Sequence, residues 1–155
     1  MAEILSLDIQ DNHSLESKTS FVGRRGEELA AVFLEQNGFR LIASNFKVPI
    51  GRNRKGVQIS GEIDLIALDE NIVCFIEVKT RVSDFYASPL SAIDLKKQRQ
   101  IIRTARVYRK IFNLRTFPFR YDAVAVILGS QNQPSVNLYK NFWNEDKFRK
   151  KFWED

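Results

Sequence analysis

The sequence predicts a single α/β domain in which a mixed central β-sheet is flanked by helices. Three observations carry this. Residues 72–79, I-V-C-F-I-E-V-K, form a nearly continuous apolar run of the kind found in a strand covered on both faces. Residues 23–37 and 89–112 place apolar residues at helical spacing on either side of it in the chain. A second apolar run, residues 119–128, follows the longer helix, and the order helix, strands, long helix, strand suits a sheet with helices packed on it.

The chain has 155 residues, 44% of them hydrophobic, enough for one domain with a sizeable core. It divides into a polar leader over 1–21, a core domain over 22–129 and an extension over 130–155 that packs on the core or meets a second copy. No apolar run approaches the roughly 18 residues of a membrane helix, so no membrane partner is expected. The start lacks a basic segment leading into an apolar one, so no secretory signal is visible. The lone cysteine, Cys74, cannot form an intramolecular disulfide and sits in the central strand as a small core residue. These features together predict a cytoplasmic protein. With one cysteine and one histidine (His13), a Cys/His zinc site is excluded, and any metal would need oxygen ligands.

In chain order, the helix over 23–37 carries Val22, Leu29 and Phe33 on an apolar stripe, with Ala30 and Leu34 beside it and Gly38 placed for a left-handed cap. A strand F-R-L-I and a further piece N-F-K-V follow within 39–48. Residues 49–60 then contain G-R-N-R-K-G, a basic glycine-bounded stretch that reads as a hairpin tip. Strands over about 62–68 and 72–80 come next, joined at Asp69-Glu70-Asn71. Asp84 and Tyr86, in the next connection, have a place near a cleft. The helix over 89–112 has Ser88 as its cap and Pro89 in its first turn. Its stripe is Ile93, Lys97, Ile101, Ala105, Tyr108 and Phe112, in which Lys97 stands out. In the strand over 119–128, Arg120 and Asp122 share a face, to pair or to support a site. The extension offers a strand near 136–139 and a short helix capped by Asn144 with Phe148 and Phe152 four apart; Trp143 and Trp153 add apolar area.

The chemistry gathers in the hairpin. Glu77 and Lys79 share one face of a strand that should be buried, where a charge is costly unless paired or bound to a metal. With the turn centred between Glu70 and Asn71, Asp64 faces Glu77 and Glu62 faces Lys79. Like charges so placed repel, and a divalent cation between them would reverse the sign. Mg²⁺, which takes one or two carboxylates and binds phosphate oxygens, suits such a pair.

These residues resemble the active site of the restriction-endonuclease-like PD-(D/E)xK superfamily. The fuller string, G-E-I-D-L-I-A at 61–67, F-I-E-V-K-T-R at 75–81, Lys97-Gln98 and R-Y-D-A-V-A-V at 120–126, is similar to the YraN family, endonuclease-like proteins related to archaeal Holliday-junction resolvases. The likeness covers residues 23–128. It departs from the pattern in the 49–60 stretch, which looks like an insertion, and in Ile63, where the superfamily motif has proline. The resemblance implies a restriction-endonuclease-like fold and metal-dependent hydrolysis of phosphodiester bonds in DNA, branched or repair substrates among them. It implies Asp64 and Glu77 as ligands of Mg²⁺ or Mn²⁺, Lys79 as the catalytic lysine, Lys97 as a basic residue at the site, and Glu27 as a further catalytic acid and ligand. Glu27 can equally be a first-turn acid that favours the helix dipole.

A second basic face points to nucleic acid independently. Residues 96–110 hold seven basic residues and no acidic one, a local +7 against +5 for the whole chain. Lys96, Arg99, Arg103, Arg106 and Lys110 fall on one helix face, a footprint for phosphates where a solvated face would mix signs. Arg52, Arg54 and Lys55 at the hairpin tip can reach a backbone too. The rival readings are a non-catalytic nucleic-acid-binding module that retains the nuclease fold, and a protein-interaction domain; a homodimer is compatible with each.

Overall fold

The apolar run at 72–79 becomes the middle strand of a five-stranded sheet in the computed structural model, which describes residues 17–83, 88–129 and 133–149. Helix α1 (Lys18–Gln36) leads into β1 (Arg40–Arg52), β2 (Gln58–Asp69) and β3 (Ile72–Arg81). A 3-10 helix (Pro89–Ala92), α2 (Leu95–Ile111), β4 (Phe119–Ile127), β5 (Ser135–Trp143) and a 3-10 turn (Asp146–Phe148) complete the order. The sheet order is β1-β2-β3-β4-β5, antiparallel except for the parallel pair β3–β4. A parallel pair needs a long crossover, and the segment carrying α2 supplies it. The mixed sheet flanked by helices is the α/β architecture the sequence predicts.

Each face of the sheet has its own core. Val73 and Phe75 pack with Ile101, Ile102 and Tyr108 on the α2 side, while Cys74, Ile76 and Val78 pack with Ala30 and Leu34 of α1. Both faces of β3 are therefore apolar, which is why its sequence shows no alternation. Cys74 is fully buried, and burial pushes its thiol up to about 12, as befits a core residue. Among the described residues no helix is long and apolar enough to cross a membrane.

Several boundaries differ from expectation for local reasons. Helix α1 opens at Lys18, because Ser17 Oγ accepts the Ser20 N–H at 3.1 Å; residues 18–21 are thus helix and not leader. Its buried line is Gly26, Ala30 and Leu34; of the expected stripe Ala30 and Leu34 reach the core, Leu29 packs at its edge, and Val22 and Phe33 are only half-buried. A Cβ at Gly26 would overlap Thr80 Oγ1, so α1 approaches β3 closely at a glycine. Gly38 takes the expected left-handed cap, with φ +88°.

The 49–60 stretch is mostly strand. A register shift between Pro49 and Gly51 hides its alternation, and only Asn53–Val57 is the tip, where Asn53 Oδ1 accepts the Lys55 and Val57 N–H groups. The helix over 89–112 is broken, because Asp94 Oδ1 accepts the Lys97 N–H at 2.8 Å and starts α2 afresh. Ile93, Ile101, Ala105 and Tyr108 are buried as predicted, but Phe112, at the helix end, is exposed.

The extension joins the sheet. β5 lies against β4, and Trp143 stacks on Tyr121 with ring centres 5.4 Å apart. Asn144 Oδ1 accepts the Asp146 N–H, but the segment it opens is a single 3-10 turn. Phe152, Trp153, His13, Asp84 and Tyr86 lie outside the described residues. Arg120 does pair with Asp122, at 2.7 Å, and reaches Asp69 at 2.8 Å, so this pair braces the β2–β3 turn.

Gly26→Ala tests the close approach of α1. Alanine favours a helix by about 1 kcal/mol over glycine, yet forcing a methyl into a packed contact costs roughly 1–3 kcal/mol. Urea unfolding should show a net loss, partly recovered by adding Thr80→Ala.

Candidate active site

The site forms where β2 leaves β3. The ladder keeps the predicted register through Leu65↔Ile76 and then stops, one residue short of Asp64 and Glu77. β2 continues against β1 past this point, but its side-chain alternation slips at Asp64. Ile63 and Ile66, three apart, both pack into the α2-side core, whereas a regular strand would put them on opposite faces. Asn45, flanked by the pairs Ser44↔Leu65 and Phe46↔Ile63, has φ +51° in β1. Asp64 is turned so that its Oδ2 accepts the Val78 N–H at 2.8 Å, a hydrogen bond made by a side chain where the ladder has ended.

The gap admits side chains from both layers. Glu27 of α1, Asp64, Glu77 and Lys79 of the sheet, and Lys97 of α2 line one cavity of about 300 Å³. All five of the predicted catalytic residues are brought together there. Glu77 is 2% exposed; its Oε1 faces Lys79 Nζ at 3.2 Å and Lys97 Nζ at 3.6 Å. Its Oε2 is buried without a hydrogen-bond partner among the described residues. Lys97 is thus the exception on its stripe because it reaches a buried carboxylate.

One expectation needs correction. Lys79 does not pair with Glu62, because the strands have parted before that position; Glu62 lies across from Lys47 instead. Among the described residues no three acidic, cysteine or histidine side chains converge as a metal-ligand group. In the amide orientation that satisfies both partners, Asn45 donates to Glu27 Oε2 and Glu62 Oε1, each at 3.1 Å. Sequence reasoning missed Asn45. The only available sign was an Asn-Phe step inside a strand, asparagine being among the few residues that tolerate positive φ.

The carboxylates are strained. Burial, and then the charge of Glu77, push the Asp64 carboxyl up to about 7 against the protection of the Val78 N–H. Burial and the Asp64 charge likewise raise Glu27. Such an arrangement favours a proton or a cation between the acids.

The predicted basic face is real, but part of it serves the fold. Lys96, Arg99, Arg103, Arg106 and Lys110 are all on the solvent side of α2. Arg103 Nη2 donates to Ile50 O at 2.7 Å, Arg106 pairs with Glu145 at 3.0 Å, and Arg99 lies 5.3 Å over the Phe148 ring. The Arg103 bond draws the base of the hairpin tip against α2, which brings the two basic segments into one neighbourhood. Arg52 donates to Gly56 O within the tip, while Arg54 and Lys55 are exposed there.

The fold and site define a mixed α/β protein whose paired carboxylates and paired lysines meet at the open end of its central sheet. The chain belongs to the family described as "Uncharacterised protein family UPF0102", which matches residues 26–126 and so includes the five charged residues of the pocket, Glu27, Asp64, Glu77, Lys79 and Lys97. A UPF0102 protein of Clostridium botulinum (strain 657 / Type Ba4) is 39% identical over 124 residues, covering 77% of this chain and 91% of that protein. One of Caldanaerobacter subterraneus subsp. tengcongensis is 38% identical over 110 residues, covering 71% and 82%. A solved structure described as "Crystal structure of SSO0001" aligns with a TM-score of 0.38 at 15% identity, over 84% of this chain and 56% of that one.

The strain at Asp64 predicts a pH signature. Folded protein holds the Asp64 proton up to about 7, against an ordinary value of 3.8. Between those values the folded state binds more protons, so this group's contribution to stability is full below the ordinary value and falls as pH rises through about 7. Asp64→Asn keeps an oxygen for Val78 and carries no charge. In thermal melts without metal it should remove that decline and melt higher than wild type at about pH 8. Parallel curves for the two proteins would show that the carboxylate is not strained.

Proposed function

We propose that this protein is a metal-dependent, endonuclease-like hydrolase of nucleic-acid phosphodiester bonds, with DNA as its substrate. The observation that carries the reading is Glu77: a buried carboxylate with one oxygen on two lysines and the other without a hydrogen-bond partner among the described residues, beside a second carboxylate pushed up to about 7. An orphaned buried oxygen beside a strained acid fits a hard cation. Asp64 and Glu77 would hold Mg²⁺ or Mn²⁺, leaving its other positions to water and phosphate oxygens. The cation supplies charge neutralisation at the phosphate and a more acidic water.

The chain's own groups do the rest. Lys79, on Glu77 and 30% exposed, turns its ammonium toward the pocket, where it donates to a non-bridging phosphate oxygen or orients the attacking water. Lys97 meets the same oxygen of Glu77 and adds a second positive charge. Glu27, fixed by Asn45, accepts a hydrogen bond from water at the rim. The rival reading is binding without cleavage. Metal-dependent cleavage of a panel of duplex, single-stranded and branched DNA separates the two.

Lys79→Met should leave the fold and DNA binding largely intact and lower cleavage by at least about a hundredfold, a typical loss for one preorganised donor. Equal rates for the variant and the wild type would remove Lys79 from the chemistry. Lys96 and Lys110 make no ion pair among the described residues, so Lys96→Gln with Lys110→Gln is the clean test of the basic face. For every phosphate that these lysines neutralise in the wild type, the double variant should flatten the salt dependence of duplex binding by about 0.9 in slope.

A further inference from the structure

Beside the acidic pocket lies a larger cavity, of about 390 Å³, between the arms of the β1–β2 hairpin and the start of α2. Ile50, Ile59 and Ala92 give it apolar walls. Lys96, Lys97, Arg99 and Arg103 bring four cations to it, against the single carboxylate of Asp94. That carboxylate is already committed to the Lys97 N–H as the cap of α2. Lys97 lines both cavities, so they are neighbours across one side chain.

We infer that this cavity receives an unpaired nucleotide of the strand whose phosphate lies in the acidic pocket. The inference rests on the nuclease reading and names its substrate class. The volume is that of a small-ligand site, and apolar walls with polar groups at the margin suit a base face joined to a charged backbone. A base stacked in a duplex cannot enter a concave cavity unless it leaves the helix, which costs least where it is already unpaired. None of the lining residues is aromatic, so the base is held by aliphatic contact and not by stacking, and the site tolerates any base. The substrate is therefore a single strand, or a duplex interrupted by a bulge or flap that leaves a nucleotide unpaired.

Fluorescence anisotropy in the presence of a chelator tests this without cleavage. The probes are labelled oligonucleotides of equal length: a single strand, a perfect duplex and a duplex with one bulged nucleotide. The single strand and the bulged duplex should bind at least about tenfold tighter than the perfect duplex. Ile59→Gln, at a half-buried position, should erase that preference while leaving perfect-duplex affinity unchanged; Ala92→Gln, at an exposed position, should do the same if the first variant folds poorly. Equal affinity for bulged and perfect duplex would overturn the inference and leave the nuclease reading standing. A preference that survives both variants would remove the cavity from recognition. Failure to bind any of the three probes would overturn both readings.

Discussion

The structure turns on one buried charge. Glu77 lies on the central strand with apolar neighbours on both sides, where an uncompensated carboxylate is strongly unfavourable. Two lysines meet one of its oxygens, from its own strand and from the helix across the crossover. A sheet that continued its ladder past Leu65 would close over this carboxylate. The parting of β2 from β3 at Asp64 keeps the end of the sheet open, and Asp64 itself satisfies the Val78 N–H that the ending ladder would otherwise leave unpaired.

Holding that opening requires both helices to sit close. Gly26 lets α1 approach Thr80 of β3, and Gly61 lets α2 approach β2 through Thr104, each at a point where a Cβ would overlap a threonine hydroxyl. Glu27 follows the first glycine directly and Glu62 the second, so the contacts that bring the layers together also bring their acids near. Asn45 then ties the two glutamates to each other. The left-handed backbone of Asn45 is a local cost of the kind that surrounding structure must support.

Charge has two uses on α2. Toward the hairpin and the C-terminal segment, Arg103 and Arg106 lock neighbouring elements in place. Lys97, in the first turn, instead sits where the acidic pocket and the larger cavity meet, and Lys96 beside it lines the larger one. The excess of positive charge is thus part scaffold and part exposed or cavity-lining cation, a distinction that a linear charge count cannot make.

The sequence by itself determined the central strand, the β2–β3 register, the helices on either side and the hairpin tip, because apolar periodicity and turn residues are local signals. It also singled out Asp64, Glu77, Lys79 and Lys97, since a charge inside an apolar pattern is conspicuous wherever the partner lies. Tertiary structure alone decided where the ladder ends, that Lys79 turns to Glu77 and not to Glu62, and that Asn45 anchors Glu27. Those outcomes depend on strand splay and on groups far apart in the chain: Asn45 and Glu27 lie on different elements, and Lys97 reaches Glu77 only because α2 returns across the sheet. The length of β1 and β2 was masked for a related reason, a bulge that shifts the register, and the break before α2 arose from a side chain competing for the backbone.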